Sequence, residues 1–116
     1  MKKELEFYVR EVRKMEERTE GTENIEILCR AFLTLSTIAE CKEFLTDLCT
    51  ASELKEMSRR LTAAKMLRDN RVYTDIAAAT GLSTATISRV NRCLKFGNGY
   101  LHVLDAMDRM GKRREF

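Results

Sequence analysis

The stretch from Tyr73 to Arg92, YTDIAAATGLSTATISRVNR, leaves this chain few folds to choose from. Counted from Tyr73, small or apolar residues stand at the fourth and fifth positions (Ile76, Ala77) and a glycine at the ninth (Gly81). Aliphatic residues follow at the tenth, fifteenth and eighteenth (Leu82, Ile87, Val90). Two short helices joined by a tight turn need all of them. Ala77 must be small because the second helix crosses close over the first, and Gly81 supplies the positive φ that ends the first helix. Ile76, Leu82, Ile87 and Val90 then make the apolar contact that sets the angle between the helices. The pattern predicts a helix-turn-helix, a geometry suited to laying its second helix in the major groove of DNA.

The rest of the 116 residues agrees with an all-α fold: proline is absent, glycine is scarce, and Ala, Leu, Glu, Lys, Arg and Met are plentiful. The length suits one domain spanning residues 1–116. No apolar run approaches the roughly 20 residues that cross a bilayer. The opening MKKELEFYVREVRK alternates charge with hydrophobics instead of leading into an apolar signal core, so a cytoplasmic protein without a membrane partner is expected.

Enzyme chemistry finds no support in the sequence. No nucleophile, acid and base are grouped, and there is no glycine-rich phosphate loop, so the chain is expected to be no enzyme and to carry no cofactor. Cys29, Cys41, Cys49 and Cys93 form no CxxC pair and are expected as reduced, buried small hydrophobes. His102 has only Asp105 at ligand spacing, and one pair does not make a metal site.

Seven helices follow from the apolar periodicity. Leu5, Tyr8, Val9, Val12 and Met15 mark a first helical stripe over residues 2 to about 18, and the polar run Thr19 to Asn24 around Gly21 predicts a break. With Asn24 as its cap, a second helix is apolar over much of its circumference (Ile25, Ile27, Leu28, Ala31, Phe32, Leu35, Ile38), which requires cover on several faces; a second subunit is the expected cover. Thr37 with Glu40 and Thr50 with Glu53 read as capping boxes that open a third and a fourth helix, the fourth running to about Asp69 before a polar turn. Thr74 and Ser83 are the expected caps of the two motif helices. Phe96 to Gly99 ends the recognition helix, a last amphipathic helix carries Tyr100, Val103, Leu104 and Met107, and Lys112 to Phe116 is an expected frayed tail.

Charge is distributed unevenly along the chain. Residues 1–54 carry 8 Lys/Arg against 12 Asp/Glu, net −4; residues 55–95 carry 9 against 3, net +6; residues 96–116 carry 4 against 3, net +1. The positive segment contains the motif, as a face that neutralises phosphates must. With Ile87, Val90 and Leu94 facing inward, helical geometry turns Thr84, Ala85, Thr86, Ser88, Arg89 and Arg92 outward. Ser83, Thr84, Ala85, Thr86, Ser88 and Arg89 are the candidates for base edges or the groove, being short and polar in front with one long arginine behind. Lys65, Arg68, Arg71, Thr74, Arg92 and Lys95 are better placed for phosphates, which position without specifying. Arg59 and Arg60 are candidates for either an ion pair with Glu56 or a solvated face.

The order of a capping box (Thr50 to Glu53), adjacent arginines (Arg59, Arg60), a turn and then TATISRVNRCLKFG resembles the Trp repressor superfamily, most closely its YerC/YecD-type branch of TrpR-related bacterial proteins. The likeness covers Leu48 to Asp105 well and the N-terminal helices in pattern only; ATISR marks the superfamily and STATISRVNR the branch. It implies an interlocked homodimer with N-terminal dimerisation helices (1–49), a scaffold helix plus helix-turn-helix (50–95) and a C-terminal helix and tail (96–116). It also implies an effector pocket held by Arg89 and by Arg59 or Arg60. Two departures bear on that pocket: Val90 stands where the repressor has a glycine that leaves room for an indole, and Cys93 where it has a serine that holds the ligand's amino group. Both weaken a tryptophan site, so tryptophan is not expected as the effector.

The reading that results is a homodimeric, sequence-specific regulator of transcription, with a repressor as the specific expectation. The alternative is a protein-interaction module, or a replication or recombination accessory protein, that retains the helix-turn-helix scaffold.

Overall fold

The computed structural model describes residues 2–17 and 19–111, the side chains of 15–17, 19 and 20 excepted. It is all-α, with helices α1 (Lys2–Glu17), α2 (Thr19–Phe32), α3 (Ile38–Leu48), α4 (Ala51–Arg68), α5 (Tyr73–Thr80), α6 (Thr84–Phe96) and α7 (Gly99–Gly111), and no strand among the described residues. The expected frayed tail, Lys112 to Phe116, lies outside the described residues, as does the side chain of Met15.

The polar break expected from Thr19 to Asn24 does not occur: α2 begins at Thr19 and runs through Gly21 and Asn24. A single glycine costs only about 1 kcal/mol relative to alanine inside a helix, and with no proline in the run nothing forbids the helical backbone. The turn that does separate α2 from α3 comes later, where Thr34 and Leu35 bond back to the carbonyls of Ala31 and Phe32.

The chain divides into two compact units, Met1–Tyr8 with Met57–Phe116, and Val9–Glu56. Among the described residues, all of the buried apolar ones lie in the first: Ala63 and Ala64 of α4, Ile76 of α5, Leu82 in the turn, Ile87, Val90 and Leu94 of α6, and Leu104 of α7. α6 packs on both α5 and α7, so its inward stripe is enclosed from two sides. Leu61, Met66, Leu67, Tyr73, Ala77, Tyr100 and Leu101 are half-buried around that core. Full burial of Ile76 and Ile87 contributes about 1.5–3 kcal/mol each from the apolar surface removed from water.

The second unit has no buried residue among those described. Leu33 is 84 % exposed and Ile27 and Ile38 are 64 % exposed. Its order is local. The Thr37 side chain accepts from Glu40 N–H at 3.1 Å while Glu40 Oε1 accepts from the N–H groups of Ser36 (2.9 Å) and Thr37 (3.1 Å). Thr50 and Glu53 repeat the reciprocal pair at 2.8 and 3.1 Å. One aromatic contact, Phe32 edge-on to Phe44 with ring centroids 5.4 Å apart, joins α2 to α3.

The cysteines are free, as expected, but none is buried: Cys29 is exposed and Cys41, Cys49 and Cys93 are half-buried. Three of them lie in the unit that has no interior, and Cys93 lines an open concavity.

Candidate nucleic-acid interface

The approach to the motif is set where α4 ends. Asn70 adopts the left-handed conformation (φ 62°), Asn70 N–H bonds to Leu67 O and Arg71 N–H to Met66 O, both at 3.0 Å, a Schellman arrangement that satisfies the last carbonyls of α4. α5 then starts two residues earlier than Thr74 would allow as a cap. Val72 is the extended N-cap residue, its carbonyl accepts from Ile76 N–H at 3.1 Å, and no side chain caps this end; Thr74, already inside the first turn, is exposed.

The turn between α5 and α6 is fixed from within. Gly81 sits at φ 74° and its N–H bonds to Ala77 O at 2.8 Å. Thr80, buried despite its hydroxyl, donates to Ile76 O (2.7 Å) and accepts from Leu82 N–H (3.2 Å), so the one buried polar side chain of the described core is satisfied twice. Ser83 caps α6 as expected: its Oγ accepts from Thr86 N–H at 3.2 Å and donates to Thr86 Oγ1 at 3.0 Å. The N-terminal turn of α6 is therefore held rigid, a condition for placing side chains on base edges.

Ile87, Val90 and Leu94 face the core, which leaves Ser83, Thr84, Ala85 and Arg89 exposed and Thr86, Ser88 and Arg92 half-buried on the opposite side. Arg89, Arg92 and Lys95 follow one another at intervals of three along α6. Of the remaining candidates, Lys65 and Arg71 are exposed, and Arg71 lies 3.6 Å from Asp75 in a solvent-screened pair. Arg68 is engaged differently from its expected place on phosphate. Its guanidinium, only 20 % exposed, bonds Asp105 at 3.1 Å and Asp108 at 2.8 Å and so ties the end of α4 to α7.

The expected effector-pocket residues separate into two groups. Val90 belongs to the core and Arg59 is exposed. Arg60, Arg89 and Cys93 all act on the Tyr100 hydroxyl, whose pKa is raised above the ordinary tyrosine value by burial first; Arg60 and Arg89 oppose that shift and Cys93 adds to it. Arg60, half-buried where Arg59 is exposed, is the arginine of the pair whose charge reaches Tyr100. Beside it Tyr8, Leu61, Cys93, Gly97, Gly99, Tyr100 and Val103 line an open, largely apolar concavity of about 490 Å³. Gly97 is required there by space: a β-carbon would stand 2.7 Å from Cys93 O and 3.1 Å from the Tyr8 ring.

Sequence reasoning missed the part that α1 plays. Phe7 lies off the apolar stripe, yet the guanidinium carbons of Arg92 and Arg89 lie 5.0 and 5.9 Å from its ring centroid. Glu4 joins Tyr73, Ser88, Asn91, Arg92, Lys95 and Phe96 around a second concavity of about 440 Å³. The available signal was an acidic and an aromatic residue three apart, a pairing too common to single out.

Comparison with known proteins agrees with this geometry. The family described as Trp repressor protein matches residues 23–108. The chain is 45 % identical over 83 residues to the uncharacterized protein YerC of Bacillus subtilis (strain 168), covering 72 % of this chain and 78 % of that one. Among solved structures, a candidate Trp repressor from Staphylococcus aureus aligns with a TM-score of 0.70 at 42 % identity, covering 74 % of this chain and 87 % of that one. A TrpR-like protein from Eubacterium eligens ATCC 27750 aligns with a TM-score of 0.71 at 46 % identity, covering 74 % and 90 %. No described helix is long and apolar enough to cross a membrane. With the match spanning the scaffold helix, the helix-turn-helix and most of α7, the chain belongs to the Trp repressor family, a regulator fold with a helix-turn-helix.

Proposed function

We propose that the protein is a cytoplasmic, homodimeric regulator of transcription, specifically a repressor, that reads double-stranded DNA with α6. The observation that carries this reading is the rigidly capped front of α6, with Thr84, Ala85 and Arg89 exposed at the end of a segment of net charge +6. Ser83, Thr84, Ala85, Thr86, Ser88 and Arg89 face base edges or the groove, while Lys65, Arg71, Thr74, Arg92 and Lys95 meet phosphates. Arg68 serves as a brace between α4 and α7.

Two copies are needed because one helix-turn-helix buries little surface, and paired motifs read half-sites about 34 Å apart. The exposed apolar residues of α2 and α3 supply the means of pairing, and the acidic balance of residues 1–54 turns that half away from DNA. Both units then act as one domain of an interlocked dimer. Tryptophan is not the effector, since Val90 already fills core space and Cys93 offers a thiol where an amino group needs a strong acceptor.

Selection of bound duplexes from random DNA at a stated salt concentration tests the reading, with two inverted half-sites as the expected product. On the selected site, Arg89→Ala should cost about 1–3 kcal/mol and change base preference, whereas Lys95→Ala should weaken all sequences alike and lower the salt slope by about one. Retention of both affinity and preference by Arg89→Ala would remove α6 as the reading helix.

A further inference from the structure

Glu4, Phe7 and Tyr8 stand at i, i+3 and i+4, so they share one face of α1, and all three meet α6 or its C-cap. Glu4 shares a concavity with Arg92 and Lys95, Phe7 presents its ring to Arg89 and Arg92, and Tyr8 lies where a β-carbon on Gly97 would come within 3.1 Å of its ring. What Phe7 touches is unusual for an apolar side chain. It is half-buried against two guanidinium groups, while the aliphatic neighbours Leu5 and Val9 are exposed.

We propose that Phe7 is a positioning residue of the DNA-reading face, holding the Arg89 and Arg92 side chains against one ring by cation–π attraction and so limiting the directions they take. The proposal rests on the DNA-binding reading above and gives α1 a part in it. A guanidinium attracted to a ring face loses freedom to swing, so a phosphate or a guanine meets a side chain that is already directed. Arginine loses much rotamer freedom when it binds, and a stack formed in the free protein removes part of that loss beforehand. One ring serving two arginines also fixes their separation, which a groove contact next to a phosphate contact demands.

The test compares Phe7→Leu, which keeps apolar bulk and removes the ring, with Phe7→Tyr, which keeps the ring, in the full chain on the duplex that the wild type selects. Phe7→Leu should weaken binding about three- to tenfold, as expected for the loss of two partly exposed cation–π contacts, and Phe7→Tyr should bind like the wild type. In the Arg89→Ala/Arg92→Ala background Phe7→Leu should have no further effect. Without DNA, ring-current displacement of the Arg89 and Arg92 side-chain protons should be present in the wild type and lost in Phe7→Leu, with the amide signals of Ile76 and Ile87 unmoved. If Phe7→Leu binds as well as or better than the wild type while Arg89→Ala is weak, the proposal falls and the DNA reading stands. If the wild type selects no duplex at all, the DNA reading falls and this role with it.

Discussion

The two units of this chain hold their helices by different physics. Around α5, α6 and α7 the buried residues interlock, and the order of the backbone follows from what Ile76, Ile87, Val90 and Leu104 exclude from water. In Val9–Glu56 nothing described is buried; there the helices begin and end by hydrogen bonds between near neighbours, Thr37 with Glu40 and Thr50 with Glu53. The first kind of order has a buried core within one chain, although Val72 and Met110 stay exposed at its surface. The second leaves Ile27, Leu33 and Ile38 in water, a cost that a second copy would remove.

Core substitutions should separate the units most sharply. Ile87→Ala is expected to lower stability by about 2–5 kcal/mol in urea unfolding, whereas Ile27→Ala should change the dissociated chain by less than about 0.5 kcal/mol. A large loss from Ile27→Ala at concentrations too low for assembly would break the comparison, because it would show that the second unit has an interior of its own. Next comes assembly: Leu33→Lys should weaken self-association at least about tenfold in sedimentation while leaving the helix content of α4 to α7 intact. A dimer indifferent to this change would place the cover elsewhere.

The smallest expected effect concerns the local devices themselves. The Thr50 backbone N–H, with help from the Thr50 hydroxyl, holds the Glu53 carboxyl below the usual range. Because the folded value is depressed, this contribution is present above the unfolded glutamate pKa, about 4.3, and is lost as pH falls through the lower folded value. Carboxyl chemical shifts of Glu53 and amide exchange at Thr50 should report the loss together, without a matching change at Ile87. Loosening at Ile87 in the same pH window would mean that the capping box supports the core.

What the sequence revealed follows the same division. Gly81, Ser83, Ile76, Ile87 and Val90 were legible because the motif is short and each residue meets near neighbours. The capping boxes were legible for that reason too. Thr74 was misread by two residues, since the extended backbone at Val72 decides where α5 starts. Arg68 and Phe7 were out of reach in principle. Their partners lie far along the chain, on α7 and α6, and spacing carries no information about which distant charge or ring comes alongside.

Gly81 and Gly97 are both fixed, for opposite reasons, and the contrast makes Gly81 a stereochemical probe. Gly97 has an ordinary φ of −98° and no room, whereas no heavy atom outside its immediate neighbours lies within 4 Å of where a β-carbon on Gly81 would stand, and only its φ of 74° stands in the way. A substitution series at position 81 therefore measures handedness with bulk held out of the result. Asn, which visits the left-handed region readily, should rank above Ala, for which that region costs roughly 1–2 kcal/mol, and Ala above the β-branched Val. Side-chain volume should not order the series. The sharpness of the bend between α5 and α6 is in this sense a property of one carbon that is not a stereocentre.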